Sequence, residues 1–158
     1  MFDRLVNPKD AARLLGFSDS RRLKRAVGDG MLDIAESGVK GDRFRVSDLA
    51  MLKLSLALID VGVEPAKAAR YSEAILGQRL VEHGKNAQEW IENEAQELFC
   101  QIADGELARI FLRGREDQRE VEVGAVKPIL FPATRCEINV FRVIRPVVVR
   151  ARQLPGHK

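Results

Sequence analysis

The sequence predicts an α+β fold, and three observations carry that expectation. The first half repeats apolar residues at helical spacing between capping residues and glycines. A polar, glycine-containing loop at 36–42 then leads into the alternating stretch Arg43-Phe44-Arg45-Val46. After Gly105 the segments become rich in Val, Ile and Phe, and Gly114, Gly124, Pro128, Pro132 and Pro146 punctuate them. That is the pattern of a small, mainly antiparallel sheet.

Each element follows from local chemistry. Pro8 suits a first helical turn because its φ is already helical and its missing N–H would be unpaired there anyway. Asn7 is the cap before it, and Ala11, Ala12, Leu14 and Leu15 form a buried stripe that Gly16 ends. Ser18 or Asp19 caps the next helix, which turns Leu23, Ala26 and Val27 inward and leaves Arg21, Arg22, Lys24 and Arg25 on the surface. Gly28 and Gly30 stop it, and Met31, Leu32 and Ile34 return the chain to the core. Glu36 to Asp42 reads as the loop of a hairpin or wing, whose returning strand points Phe44 and Val46 inward and Arg43 and Arg45 outward.

Ser47 is the expected cap of a helix in which Leu49, Leu52, Leu56 and Ile59 repeat until Gly62, and Pro65 opens another that carries Ala68, Ala69 and Ile75. From Asn86 the spacing of Ile91, Ala95, Leu98, Phe99 and Ile102 predicts an acidic helix of about 18 residues, a linker or subunit contact in which Trp90 packs. Pro146 puts the last strand, within Cys136 to Arg152, at an edge or after a bend. The chain thus divides into an N-terminal unit at 1–76, a helical linker or dimerisation region at 77–104 and a small β-rich module at 105–158.

Composition sets wide limits. With 158 residues, 46% of them apolar and 31% charged, the chain can bury a core. Its 26 basic and 23 acidic residues leave a net charge of +3, too small to identify a polyanion binder by itself. Pro128 to Lys158 is more one-sided, with six basic residues and one acidic. Cys100 and Cys136 lack ligand-like spacing and suit reduced core thiols of a cytosolic protein. No apolar run reaches the ~18 to 20 residues of a membrane span, so a soluble cytoplasmic protein is expected.

A helix-turn-helix needs a bracing helix, a tight turn and a second helix whose side chains reach the major groove. Residues 8–28 supply those parts in that order. Arg21, Arg22, Lys24 and Arg25 have the length to reach phosphates or a guanine edge, and Lys40, Arg43 and Arg45 add the contact expected of a wing. Three stretches then carry a resemblance: "VNPKDAARLLGFS", "LKRAVGDGML" and "DRFRVSDLAMLKLSLALIDVGVEPAKAARYSEAI". Residues 6–76 resemble the winged-helix DNA-binding domain of the MerR-like transcription regulators, a plan also found in excisionase-type and phage terminase small-subunit domains. Leu23-Lys24 match the usual Leu-Arg pair and Gly30-Met31 the Gly-Leu that follows. One residue is inserted before Leu23, and Arg25 and Ala26 stand where aromatic residues are usual. The resemblance implies DNA contact through Leu23 to Arg25 and the Arg43 to Arg45 strand, with action as a dimer.

Chemistry beyond binding finds little support. His83 and His157 sit on elements with no reason to meet, and "SGVKGD" lacks the spacing and hydroxyl of a phosphate-cradling loop. Glu92, Glu94 and Glu97 have no histidine at metal spacing and read as a solvated helix face. The cysteine positions of metal-sensing MerR-like members are missing. The expectation is therefore a non-enzymatic, sequence-specific regulator of transcription that binds double-stranded DNA as a homodimer, without cofactor, metal or membrane. Its β-rich module would dimerise it or meet a protein partner. The alternative is a protein-interaction or phage-type DNA-packaging adaptor module.

Overall fold

The computed structural model describes residues 1–83, 89, 91, 95–124 and 126–156. It is an α+β fold with several helices and two antiparallel sheets. The chain opens with β1 (Leu5–Val6) and α1 (Pro8–Leu15), followed by α2 (Arg21–Gly28). Asn7 caps α1 by accepting from the Asp10 N–H at 2.9 Å, Pro8 opens it, and Gly16 closes it at φ +76°. These are the capping residues the sequence marks.

The wing is shorter than expected. Arg43 forms an isolated antiparallel bridge with Glu36, and Gly41 N–H donates to the Gly38 carbonyl at 2.8 Å to close the turn. The returning strand β2 (Phe44–Arg45) pairs with β1 instead of extending that hairpin, Val6 opposite Phe44. The next helix, α3 (Val46–Asp60), begins one residue before Ser47, and no side chain caps it. Leu49, Ala50, Leu52, Leu54 and Leu58 are all buried, so α3 is covered on more faces than one stripe requires. Pro65 then starts α4 (Pro65–Ser72), whose Ser72 hydroxyl meets that of Ser55 on α3 at 2.7 Å. A π-helical turn (Glu73–Gly77) follows, and α5 (Gln78–His83) continues the path.

Two expectations for the second half are overturned. Within the acidic helix expected from Asn86, residues 86–88, 90 and 92–94, Trp90 among them, lie outside the described residues. From Gln96 onward the chain is a strand, β3 (Gln96–Ala103). Leu98, Cys100 and Ile102 alternate with Glu97, Phe99 and Gln101, a period of two that the helical spacing of Ile91, Ala95 and Leu98 conceals. Asp104 and Gly105, at φ +51° and +76°, make the two-residue turn into β4 (Glu106–Gly114), as tight antiparallel hairpins prefer. The sheet runs β5 (Glu120–Glu122), β4, β3, β6 (Arg135–Asn139).

The expected last strand is largely a helix, α6 (Val140–Gln153), with Pro146 inside it. Asn139 caps it by accepting from the Arg142 N–H at 3.1 Å. Val140, Phe141, Ile144, Val147, Val148 and Ala151 are buried, a helical stripe that outweighs the β preference of its valines. This helix packs on α1 and α3 as well as on β3. Helices and strands are therefore interspersed around one contiguous apolar core that runs from Phe2 to Leu154. Arg4 fastens the two ends, donating to the Ala151 carbonyl at 3.1 Å and to that of Pro155.

Candidate nucleic-acid interface

The bracing helix is held at both ends. At its C-terminus, where unpaired carbonyls concentrate negative potential, Lys53 donates to the Leu15 carbonyl at 3.2 Å and Arg150 to that of Leu14 at 3.1 Å. Arg150 comes from α6 and lies against Gly16, where a Cβ would stand 3.2 Å from its Nη1. The turn between α1 and α2 is thus fixed by a residue 130 positions downstream of it.

On α2, Leu23 and Ala26 are buried, and Arg21, Arg22, Lys24 and Arg25 are exposed. Their surroundings differ. The Asp19 carboxylate accepts from the Arg21 N–H at 2.8 Å and from its guanidinium at 2.7 Å. That hydrogen bonding holds the Asp19 carboxyl below its ordinary range and neutralises Arg21 locally. Ser20, at the cap position, makes no capping bond, so Asp19 does that work from one residue earlier. Arg22 lies over the Phe17 ring at 4.4 Å, a contact that orients its guanidinium without consuming its hydrogen-bond donors. Lys24 and Arg25 form no ion pair among the described residues.

The wing residues also divide. Lys40 is exposed next to Val39, which projects fully at the tip, and Ser37 donates to Asp42 at 3.0 Å across the loop base. Arg43 is half-buried at the bridge to Glu36. Arg45 is exposed but lines a cleft of about 560 Å³ shared with Asp3, Asp48 and Glu73. Burial pushes the Asp48 carboxyl up while Arg45 opposes that shift. Three carboxylates around one guanidinium make this a poor seat for a phosphate.

Two arginines of the basic C-terminal stretch face carbonyl or carboxylate oxygens of the fold. Arg150 is spent on α1, and Arg142 lies 3.8 Å from Glu97. Glu97, expected on a solvated helix face, is instead 6% exposed on β3, and Glu92 and Glu94 lie outside the described residues. Its carboxylate accepts from Arg115 and from Asn139, both at 3.1 Å. Burial raises its pKa, but those hydrogen bonds and the nearby Arg115 and Arg142 charges outweigh it, so the net shift is downward. On the sheet face away from α6, Phe99 and Phe111 stack at 5.6 Å beneath Arg109 and Arg113. Glu120, Glu122 and Glu137 pair with those arginines, and the Glu137 and Glu120 hydrogen bonds push the Arg113 pKa up. Sequence reasoning named Asp19 as one of two candidate caps but missed its ion pair with Arg21, which the Asp-x-Arg spacing signalled, and missed Phe17 and Arg150 as shapers of the site.

Reactive groups are sparse here. Cys100 is buried with its thiol pushed up to about 12, chiefly by desolvation, and Cys136 is half-buried; both are free. Neither imidazole belongs to the described side chains, and no group of three His, Cys, Asp or Glu among the described residues forms a metal-binding cluster. No described helix is long and apolar enough to cross a membrane. Compared with known proteins, the chain matches no family model, and no curated protein matches it.

Proposed function

We propose that the chain is a sequence-specific double-stranded DNA-binding regulator of transcription that acts as a homodimer through α2 and the wing. The observation that carries this reading is the division of α2: Leu23 and Ala26 lock it to a braced α1, and Arg22, Lys24 and Arg25 extend into solvent. An exposed helix anchored on one side after a short turn fits the major groove, whose width accepts a helix. Lys24 and Arg25 are the primary contacts, with Arg22 presented in a fixed orientation by Phe17. Lys40 and Arg43 supply the wing contact. Arg21 and Arg45 contribute less, because Asp19 and the acidic cleft already compensate them. Activity comes from positioning on DNA without covalent chemistry.

A protein-interaction or packaging-adaptor role is the second reading, favoured by the nearly full exposure of Leu130 and Phe131. Selection from a random duplex library with the full-length protein separates the two. The regulator reading predicts enrichment of an inverted repeat with half-sites about one helical turn, or a multiple of it, apart. Recovery of an unenriched library would exclude sequence-specific regulation.

A further inference from the structure

An α-helix ends in four carbonyls that its own ladder leaves unpaired, and the partners they find fix how the chain leaves it. At the end of α1 all four are accounted for. The Phe17 N–H donates to the Ala12 carbonyl at 2.9 Å and the Gly16 N–H to the Arg13 carbonyl at 3.1 Å, a Schellman arrangement with Gly16 in the left-handed conformation. The other two are met from outside: Lys53 of α3 donates to Leu15 at 3.2 Å and Arg150 of α6 to Leu14 at 3.1 Å. Arg150 also meets the turn itself. The three atoms nearest to where a Gly16 side chain would begin are its Nη1, Nη2 and Cζ, at 3.2, 3.8 and 3.9 Å.

That contact leads straight into α2. Phe17 follows Gly16 and carries the Arg22 guanidinium over its ring at 4.4 Å, and Asp19 holds Arg21 at 2.7 Å. Burial of Leu23 and Ala26 settles which face of α2 turns inward, but apolar burial is non-directional and leaves the tilt of the helix to the turn. Tilt matters at this length. Swinging an eight-residue helix of roughly 12 Å by about 10° moves its far end by about 2 Å, more than a hydrogen bond to a base edge tolerates. Arg150 is itself delivered by a helix anchored in the sheet: the Asn139 cap of α6 donates to Glu97 of β3 at 3.1 Å, and Arg142 lies 3.8 Å from the same carboxylate. It reaches the turn from outside the helix-turn-helix.

We propose that Arg150 is a positioning residue for duplex recognition: it sets the tilt of α2 through the α1–α2 turn and makes no contact with the DNA itself. This rests on the DNA reading above and extends it to a residue of the C-terminal helix. Removing Arg150 frees the turn but leaves Arg22, Lys24, Arg25 and the wing cations in place. Attraction to phosphates, which depends on the number of cations, is then kept, and discrimination between bases, which depends on where α2 points, is lost.

The affinity of the full chain for a duplex enriched from the random library and for a scrambled duplex of the same length, measured over a series of salt concentrations, tests this. Arg150→Met is expected to lower the ratio of the two affinities roughly 10-fold, the worth of one base contact, with unchanged salt slopes. Lys53→Met, which removes the donor to Leu15, should keep the ratio. Where circular dichroism shows Arg150→Met to be unfolded, Arg150→Lys decides instead: a lone ammonium does not replace the planar guanidinium at both Leu14 and Gly16, so the ratio falls by a smaller factor. A wild-type ratio in a folded Arg150 variant, or an equal loss in Lys53→Met, would overturn the proposal. So would a slope smaller by about 0.9 with both affinities reduced alike, the mark of a direct phosphate contact. Amide hydrogen exchange of the free protein keeps the two readings apart, since Arg150→Met should exchange faster across Phe17 to Gly28 and as the wild type does in β3 and β4. A wild type that ignores duplex DNA, with that acceleration present in the variant, sinks the DNA reading alone; a wild type that binds and discriminates, with no loss in the variants, sinks the positioning role alone.

Discussion

At the scale of single residues, two kinds of charged side chain need separating: those that reach outward and those that hold the fold. Glu97 belongs to the second kind. It ties β3 to Arg115, to the α6 cap Asn139 and to Arg142. Because its carboxyl titrates lower in the folded chain than when unfolded, it contributes stability above the ordinary glutamate range. That contribution is lost as pH falls through the depressed folded value. Glu97→Gln is expected to cost about 1–2 kcal/mol near neutral pH, reduced from the buried-pair range because Arg115 and Arg142 face solvent. Denaturant titrations should show the difference between variant and wild type shrinking below about pH 4. The Asn7 cap, the Gly16 stop and the anchor Leu23 were legible in the sequence, since each depends on neighbours within one turn. The role of Glu97 was not, because its partners come from segments 18 to 45 residues away that no local pattern connects.

At the scale of elements, the first half of the chain was read well and the second half exchanged its helix and strand identities. Both errors have the same origin: two periodicities coexist and tertiary packing selects one. The stretch 91–102 offers a helical stripe through Leu98 and Ile102 and also a period of two through Leu98, Cys100 and Ile102, and pairing with β4 on one side and β6 on the other selects the strand. In 140–151 the buried positions follow helical spacing, but Val and Ile argue for a strand by propensity and Pro146 argues against a helix interior. The cap at Asn139 was the overlooked signal. Pro146 removes the hydrogen bond that a residue in its place would give the Arg142 carbonyl. Pro146→Ala should therefore stabilise the protein by about 2 kcal/mol, the helix gain less the lost restriction of the unfolded chain. An unchanged or lowered melting temperature would show that α6 depends on a bend there.

At the scale of the whole molecule, α6 packs both on β3 and on the helices α1 and α3. Arg150 reaches the α1–α2 turn, Arg4 reaches the end of α6, and Glu106 at the start of β4 pairs with Lys67 and Tyr71 on α4. With one core from Phe2 to Leu154, truncation after Asn139 should unfold the N-terminal helices too, read as loss of helical circular dichroism and of a single cooperative melt. A truncated chain that retains a cooperative melt would contradict this. In the proposed reading, α2 and the wing contact duplex DNA through Arg22, Lys24, Arg25, Lys40 and Arg43. That reading is tested most directly by the salt dependence of binding of the full-length protein to a selected duplex. Five phosphate contacts per subunit predict a log–log slope of about −4 to −5 per subunit, and Lys24→Ala with Arg25→Ala should reduce its magnitude by about 2. Absence of duplex binding at low salt, or a slope unchanged in the double variant with unaltered affinity, would contradict the account.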